Sequence, residues 1–232
     1  MKKPLPEMNL SRRRMLQLSL AGAAAGVAMG GFELAIPTAA LAEDISTPDA
    51  AIAELVAGNK RYLSGGINVS AKELASLRQQ TAENQSPFAS VLSCADSRVP
   101  DEIIFNQTIG NIFVARVAGN VITPEIIGSL EYGAAVLGTK AILVMGHSNC
   151  GAVKATIKGE SVPGQISSLY PHIQPAVDQA GHDLEPATKA NAKIQAALLS
   201  QSSTVISEMV KSGKIKVVAG YYDLASGVVT ML

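Results

Sequence analysis

Cys94 and Cys150 are the only thiols in this 232-residue sequence, and each sits among polar and ionisable neighbours, in Cys94-Ala95-Asp96-Ser97-Arg98 and His147-Ser148-Asn149-Cys150-Gly151. His147 and Cys150 are three residues apart, so across a strand-to-helix turn an imidazole and a thiolate can face one ion. Cys94 offers a third soft donor. Two thiolates and one imidazole satisfy three corners of a zinc tetrahedron and cancel the charge of the ion. A purely structural site would fill the fourth corner with another Cys or His. There is no third cysteine, and His172 and His182 lie in a polar, proline-containing stretch. Three protein ligands and one open position form the catalytic pattern, which lowers the pKa of a bound water from about 15.7 to about 7. The alternative is a disulfide between the two cysteines. A structural bridge needs no such neighbours, which favours the metal.

Asp96 lies two residues beyond Cys94 and Arg98 two beyond that, so in an extended segment all three point the same way. A carboxylate beside zinc either ligates the ion or accepts a hydrogen bond from its water, and a nearby guanidinium holds it ionised and aimed. Without the adjacent cysteine the pair would read as a solvated surface ion pair. Beside a metal it is a candidate for catalysis.

These residues need elements to position them. Phe88 to Cys94, Ile112 to Val117, Lys140 to Met145 and Ile215 to Tyr222 read as short strands. Between them Thr123 to Leu137, Cys150 to Lys158 and a long stretch from about Leu184 to Ser212 read as helices. Alternating strands and helices predict an α/β fold, a mainly parallel sheet flanked by helices. An N-terminal helical arm precedes it. Thr47-Pro48 starts one helix with Ala51, Ile52, Leu55, Val56 and Tyr62 on one face, and Ser70 with Glu73 forms a capping-box pattern. Ligands gather at the carboxyl ends of such strands. Cys94 ends the first strand and His147 follows the third, so the two meet if those strands are neighbours.

The Cys94-Ala95-Asp96-Ser97-Arg98 and His147-Ser148-Asn149-Cys150 segments resemble the C-x-D-x-R and H-x-x-C signatures of β-class carbonic anhydrases, over about residue 47 to Tyr222. The resemblance implies one zinc per chain on Cys94, His147 and Cys150, with Asp96 binding zinc in a closed form and pairing with Arg98 in an open one. It implies zinc hydroxide attacking carbon dioxide to give bicarbonate and a proton. Gln85 would hydrogen-bond substrate, and Phe113 and Tyr132 would line an apolar pocket. It also implies a homodimer or higher multiple in which an N-terminal arm embraces the partner. Some members carry a Trp three residues before the first ligand at an inhibitory bicarbonate pocket. Val91 stands there, which argues against that pocket.

Residues 1–42 read as an address. Ser11-Arg12-Arg13-Arg14 precedes an apolar run from Leu16 to about Gly31, and Ala40-Leu41-Ala42 suits a signal peptidase. This is the layout of a twin-arginine signal peptide and predicts export to the periplasm or an equivalent lumen, with residues 43–232 as the mature domain. An uncleaved membrane anchor is the alternative. Glycines interrupt the run and Glu33 follows it, which favours cleavage and no stable membrane insertion afterwards. Residues 1–42 hold five of the 19 basic and two of the 19 acidic residues, leaving 14 against 17 in the remainder, a net charge of −3. With no basic surplus and no Trp, that body is ill suited to nucleic acid. Three rival functions share these motifs: hydrolysis of carbonyl sulfide or carbon disulfide, a non-catalytic zinc or bicarbonate-binding role, and a redox disulfide. The intact Asp96 and Arg98 weigh against a scaffold.

Overall fold

The computed structural model describes residues 45–66 and 69–232, so the expected signal peptide, 1–42, lies outside the described residues. Four strands of a five-stranded sheet run parallel: β1 (Ala89–Ser93), β2 (Ile112–Arg116), β3 (Ala141–His147) and β4 (Lys216–Tyr222). A short β5 (Val229–Met231), not anticipated from the sequence, pairs antiparallel with β4. The order across the sheet is β2-β1-β3-β4-β5. All five residues of β1 and all seven of β3 are buried, as expected of central parallel strands covered on both faces.

The alternation along β3 divides the core in two. Ile142 and Val144 face Ala192, Ala196 and Leu199 of the long helix α7 (Leu184–Ser202), together with Ile206 of α8 (Thr204–Lys211). Leu143 and Met145 face Ala51 and Leu55 of α1 (Pro48–Leu63) and Ile104 of α3 (Asp101–Ile104). This period of two, with a helix stripe on each side, is what makes the molecule a three-layer α/β structure.

The helical N-terminal segment is present. Thr47 caps α1 by accepting from the Ala50 N–H at 3.2 Å, and α1 covers its own sheet through Ala51 and Leu55. At α2 (Ala71–Gln80) the Ser70 and Glu73 capping box closes in both directions, yet the helix buries no side chain.

Two expected helices end earlier than their patterns suggested. The stretch from Thr123 is α4 (Pro124–Glu131), which loosens into a π turn over Tyr132–Val136. The stretch from Leu184 to Ser212 is broken at Ser203, whose φ of −103° and ψ of 115° are extended. Its hydroxyl donates to Glu131 at 2.5 Å and accepts from the Ile206 N–H at 3.0 Å, so the break is a cap shared with α4. Helical periodicity alone cannot distinguish such a cap from a continuous helix. The stretch holding His172 is itself the helix α6 (Tyr170–Ala180).

The chain leaves β1 toward β2 on one side, and β3 returns on the other. The order therefore reverses between β1 and β3, and the crevice beyond their carboxyl ends is where open α/β sheets place ligands. Leu92 pairs with Val144, so the register carried forward sets Cys94 level with Gly146, beside His147. A Cβ on Gly146 would stand 3.1 Å from the Thr188 carbonyl oxygen, so a glycine lets α7 close over β3 at this level.

Candidate metal centre

Cys94 leaves the end of β1, His147 ends β3, and Cys150 stands immediately before α5 (Gly151–Lys158). Asn149 takes the left-handed conformation, φ 55°, that turns the chain sharply from β3 into α5, and Asn tolerates it better than most residues. The result is a group in which the two sulfurs and an imidazole nitrogen all lie within 4.8 Å of one another, with all three residues buried. Both cysteines are free thiols, which sets the disulfide reading aside.

The donor set fits a zinc ion. Ligand atoms on tetrahedral zinc stand about 3.5–3.8 Å apart, given bonds of about 2.3 Å to sulfur and about 2.0 Å to nitrogen. His147 Nδ1 lies 2.9 Å from the Ser148 carbonyl oxygen, so the ring donates its proton there and presents the Nε2 lone pair to the cluster. His147 Nε2 is buried and has no hydrogen-bond partner, a costly condition that a metal would relieve.

The Cys94 thiol is held well below the usual thiol range, first by a hydrogen bond from Cys150 and then, against the cost of burial, by His147 and the backbone of Gly119 and Asp96. Cys150 is pushed the other way, because its proton bonds to Cys94 and it is buried. Two buried sulfurs side by side oppose each other's ionisation, and a dication held between them would favour both thiolates.

Asp96 and Arg98 lie over this group. The Asp96 carboxylate accepts from the Arg98 backbone N–H at 2.9 Å, from Nε at 2.9 Å and from Nη2 at 2.7 Å. These contacts, the side-chain hydrogen bonds foremost, hold its pKa well below the usual carboxylate range. Asp96 was expected both as a zinc ligand and as the partner of Arg98, and it is found in the second role. Its Oδ2 is 3.9 Å from His147 Nε2, but the three-residue cluster does not include it. Oδ1 accepts two of the Arg98 hydrogen bonds and Oδ2 one, so the guanidinium turns the carboxylate toward itself and leaves one acceptor site on Oδ2, the oxygen nearer His147.

The three expected pocket residues are not brought to this end of the sheet within one chain. Gln85 is exposed in the segment entering β1 at its amino end. Phe113 pairs with Ser90, four residues before Cys94 and so about 13 Å back along the strand. Tyr132 packs on Phe113 with ring centroids 6.2 Å apart.

Arg116 and Gly119 belong to the site and were not singled out from the sequence. Arg116, at the carboxyl end of β2, donates through Nε to the Cys94 carbonyl at 2.9 Å and through Nη2 to the Asp96 carbonyl at 2.5 Å, so it fastens the segment that carries both functional side chains. Its only signal in the sequence was a lone charge at the end of an apolar run. The Gly119 N–H donates to Cys94 Sγ at 3.3 Å.

A buried three-donor centre at the switch point of a parallel sheet, with an ion-paired carboxylate at its mouth, defines a metal-dependent α/β enzyme. The carbonic anhydrase family profile matches residues 89–229. Carbonic anhydrase 2 of Mycobacterium tuberculosis is 33% identical over 190 residues, covering 78% of this chain and 91% of that protein. The carbonic anhydrase of Mycolicibacterium smegmatis is 35% identical over 192 residues, covering 78% and 92%. Among solved structures, a β-carbonic anhydrase of Aspergillus fumigatus shares the fold with a TM-score of 0.65 at 23% identity, over 78% of this chain and 90% of that one. The chain belongs to the carbonic anhydrase family, in its β class.

Proposed function

We propose that this protein is a zinc-dependent carbonic anhydrase that interconverts carbon dioxide and bicarbonate. The observation that carries the proposal is the buried Cys94, His147 and Cys150 group with the Asp96 and Arg98 pair over it. Zinc held by three protein ligands supplies a nucleophilic hydroxide at neutral pH. The two cysteines and His147 hold the metal, and the Ser148 carbonyl keeps the His147 ring turned toward it. Asp96, kept ionised by Arg98, can only accept a hydrogen bond. It would therefore accept the proton of an oxygen held at the metal, leaving that oxygen's lone pair turned toward carbon dioxide, and would disfavour a ligand atom with no proton to donate. Movement of Asp96 from Arg98 onto the metal would close the site.

The protein acts as a homodimer or higher multiple in this reading. Support comes from Gln85, Phe113 and Tyr132, which lie away from the metal group of their own chain, and from Tyr132 and Val136, which are 47% and 66% exposed. A second copy that covers this surface would bring pocket residues to the first. Residues 1–42 are proposed as a twin-arginine signal that directs residues 43–232 to the periplasm, on the strength of Arg12, Arg13, Arg14 and the apolar run after them. Among the described residues no helix is long and apolar enough to cross a membrane.

Stopped-flow hydration of carbon dioxide, with zinc analysis of the same sample, tests the activity. Turnover at one zinc per chain is the expected result. A zinc-loaded protein that fails to hydrate carbon dioxide but hydrolyses carbonyl sulfide or carbon disulfide would overturn it. Cell fractionation and sequencing of the mature N-terminus test export, and sedimentation tests the multimer.

A further inference from the structure

The buried face of α7 carries two amides one helical turn apart, Asn191 and Gln195, both 0% exposed. Neither reaches the metal group directly. Asn191 Nδ2 donates to the Gly119 carbonyl at 2.8 Å, and Gln195 Oε1 accepts from the Ile122 N–H at 2.8 Å. Gln195 Nε2 donates to Asn191 Oδ1 at 3.2 Å and to the His172 carbonyl at 2.9 Å, which fixes both amides in orientation. Together they clamp the turn after β2 at its two ends.

That turn delivers the Gly119 N–H to Cys94 Sγ at 3.3 Å. Gly119 holds φ at 74°, and a Cβ there would lie 2.8 Å from Ile173 Cδ1 and 3.2 Å from Ala152 Cβ. The residue is thus suited to a left-handed backbone in a space with no room for a side chain. A buried polar group costs free energy unless it is bonded, so two amides placed under one backbone turn call for an explanation beyond packing.

We propose that Asn191 is a positioning residue for the metal centre, acting through the backbone of Gly119, which is fixed at both its carbonyl and its N–H, on the Cys94 thiolate. This rests on the reading of Cys94, His147 and Cys150 as metal ligands. With the Gly119 carbonyl tied to α7, its N–H stays aimed at sulfur. A hydrogen bond to a metal thiolate withdraws electron density from it and leaves the metal a stronger Lewis acid. Without the clamp the turn relaxes: the sulfur becomes a more electron-rich donor, but Cys94 loses the contact that fixes its position, and that loss of preorganisation outweighs the gain in donor strength.

The test uses the full protein loaded with cadmium-113 for magnetic resonance and with cobalt for absorption. In the wild type the Gly119 amide proton should show scalar coupling to the cadmium nucleus through the sulfur. In Asn191→Ala that coupling should vanish, the thiolate-to-cobalt charge-transfer band should move to lower energy, and metal affinity should fall about tenfold. Ser203→Ala, which removes a buried cap on α8 away from the metal group, should leave all three unchanged. An uncoupled Gly119 amide in the wild type overturns the inference without any variant. So does an Asn191→Ala protein with wild-type coupling, band and affinity. A cadmium signal without thiolate character would overturn the metal reading itself, so the two failures are distinct.

Discussion

Gly119→Ala makes two separable demands on the fold beside the metal centre. Alanine at a φ of 74° is placed in the left-handed region, at about 1–2 kcal/mol. Its Cβ would meet Ile173 Cδ1 at 2.8 Å and Ala152 Cβ at 3.2 Å, and Ile173 is fully buried, so the neighbours must yield inside a packed cluster. Overpacking of that kind costs about 1–3 kcal/mol. The sum, about 2–5 kcal/mol, is a large part of the stability of a single domain. Gly138→Ala is the control, because Gly138 has a φ of 79° but nothing within 4 Å of an added Cβ. It carries the backbone cost alone, about 1–2 kcal/mol. Urea unfolding of both variants, with m-values equal to that of the wild type, gives the difference directly. Gly119→Ala should also lower zinc occupancy, whereas Gly138→Ala should not. Equal destabilisation by the two substitutions, or wild-type zinc content in Gly119→Ala, would refute the argument that this turn is sterically committed to the Cys94 sulfur.

Asp96→Asn should keep one zinc per chain and lose roughly a hundredfold or more in kcat/KM, measured by stopped flow, because an amide can donate to the attacking oxygen and no longer enforces acceptance alone. Cys150→Ser should lose stoichiometric zinc by metal analysis, and chelation of the wild type should lower its melting temperature, since the ligands are buried and their binding free energy stabilises the fold. Asp101 is fully buried, and burial pushes its carboxyl up to about 7, opposed by the Ser93 hydroxyl at 2.6 Å and by Arg116, with Glu102 adding to the rise. The folded state therefore binds more protons than the unfolded one between about pH 4 and 7, so this group's contribution is fully present below about pH 4 and is lost as pH rises through 7. Asp101→Asn should flatten that part of the stability profile in urea titrations, and an unchanged slope would show that Asp101 titrates normally.

The chemistry of the centre was legible because it depends on residue types at short range. His147 and Cys150 three residues apart, and Cys94, Asp96 and Arg98 at alternate positions, restrict what a turn and an extended segment can do wherever they lie in space. The four parallel strands were legible for a similar reason, since a doubly covered strand such as Ala141–His147 is an apolar run up to the functional residue that ends it. Helix ends were less so. At Ser203 the capping bond to the Ile206 N–H is local, but its hydroxyl is anchored by Glu131, 72 residues away, and a serine within a helical pattern does not reveal that it will be used as a cap.

The sequence by itself determined the donor set, its spacing and the strand-and-helix alternation that carries it, because each follows from the chemistry of neighbouring residues. Only the tertiary structure decided that β1 and β3 are adjacent, that Asp96 turns to Arg98, that Arg116 and Gly119 grip the Cys94 segment, and that Gln85, Phe113 and Tyr132 lie at the other end of the strands. Those facts depend on strand order, register and the approach of α7, which are set by burying the whole core at once and by no single stretch of chain.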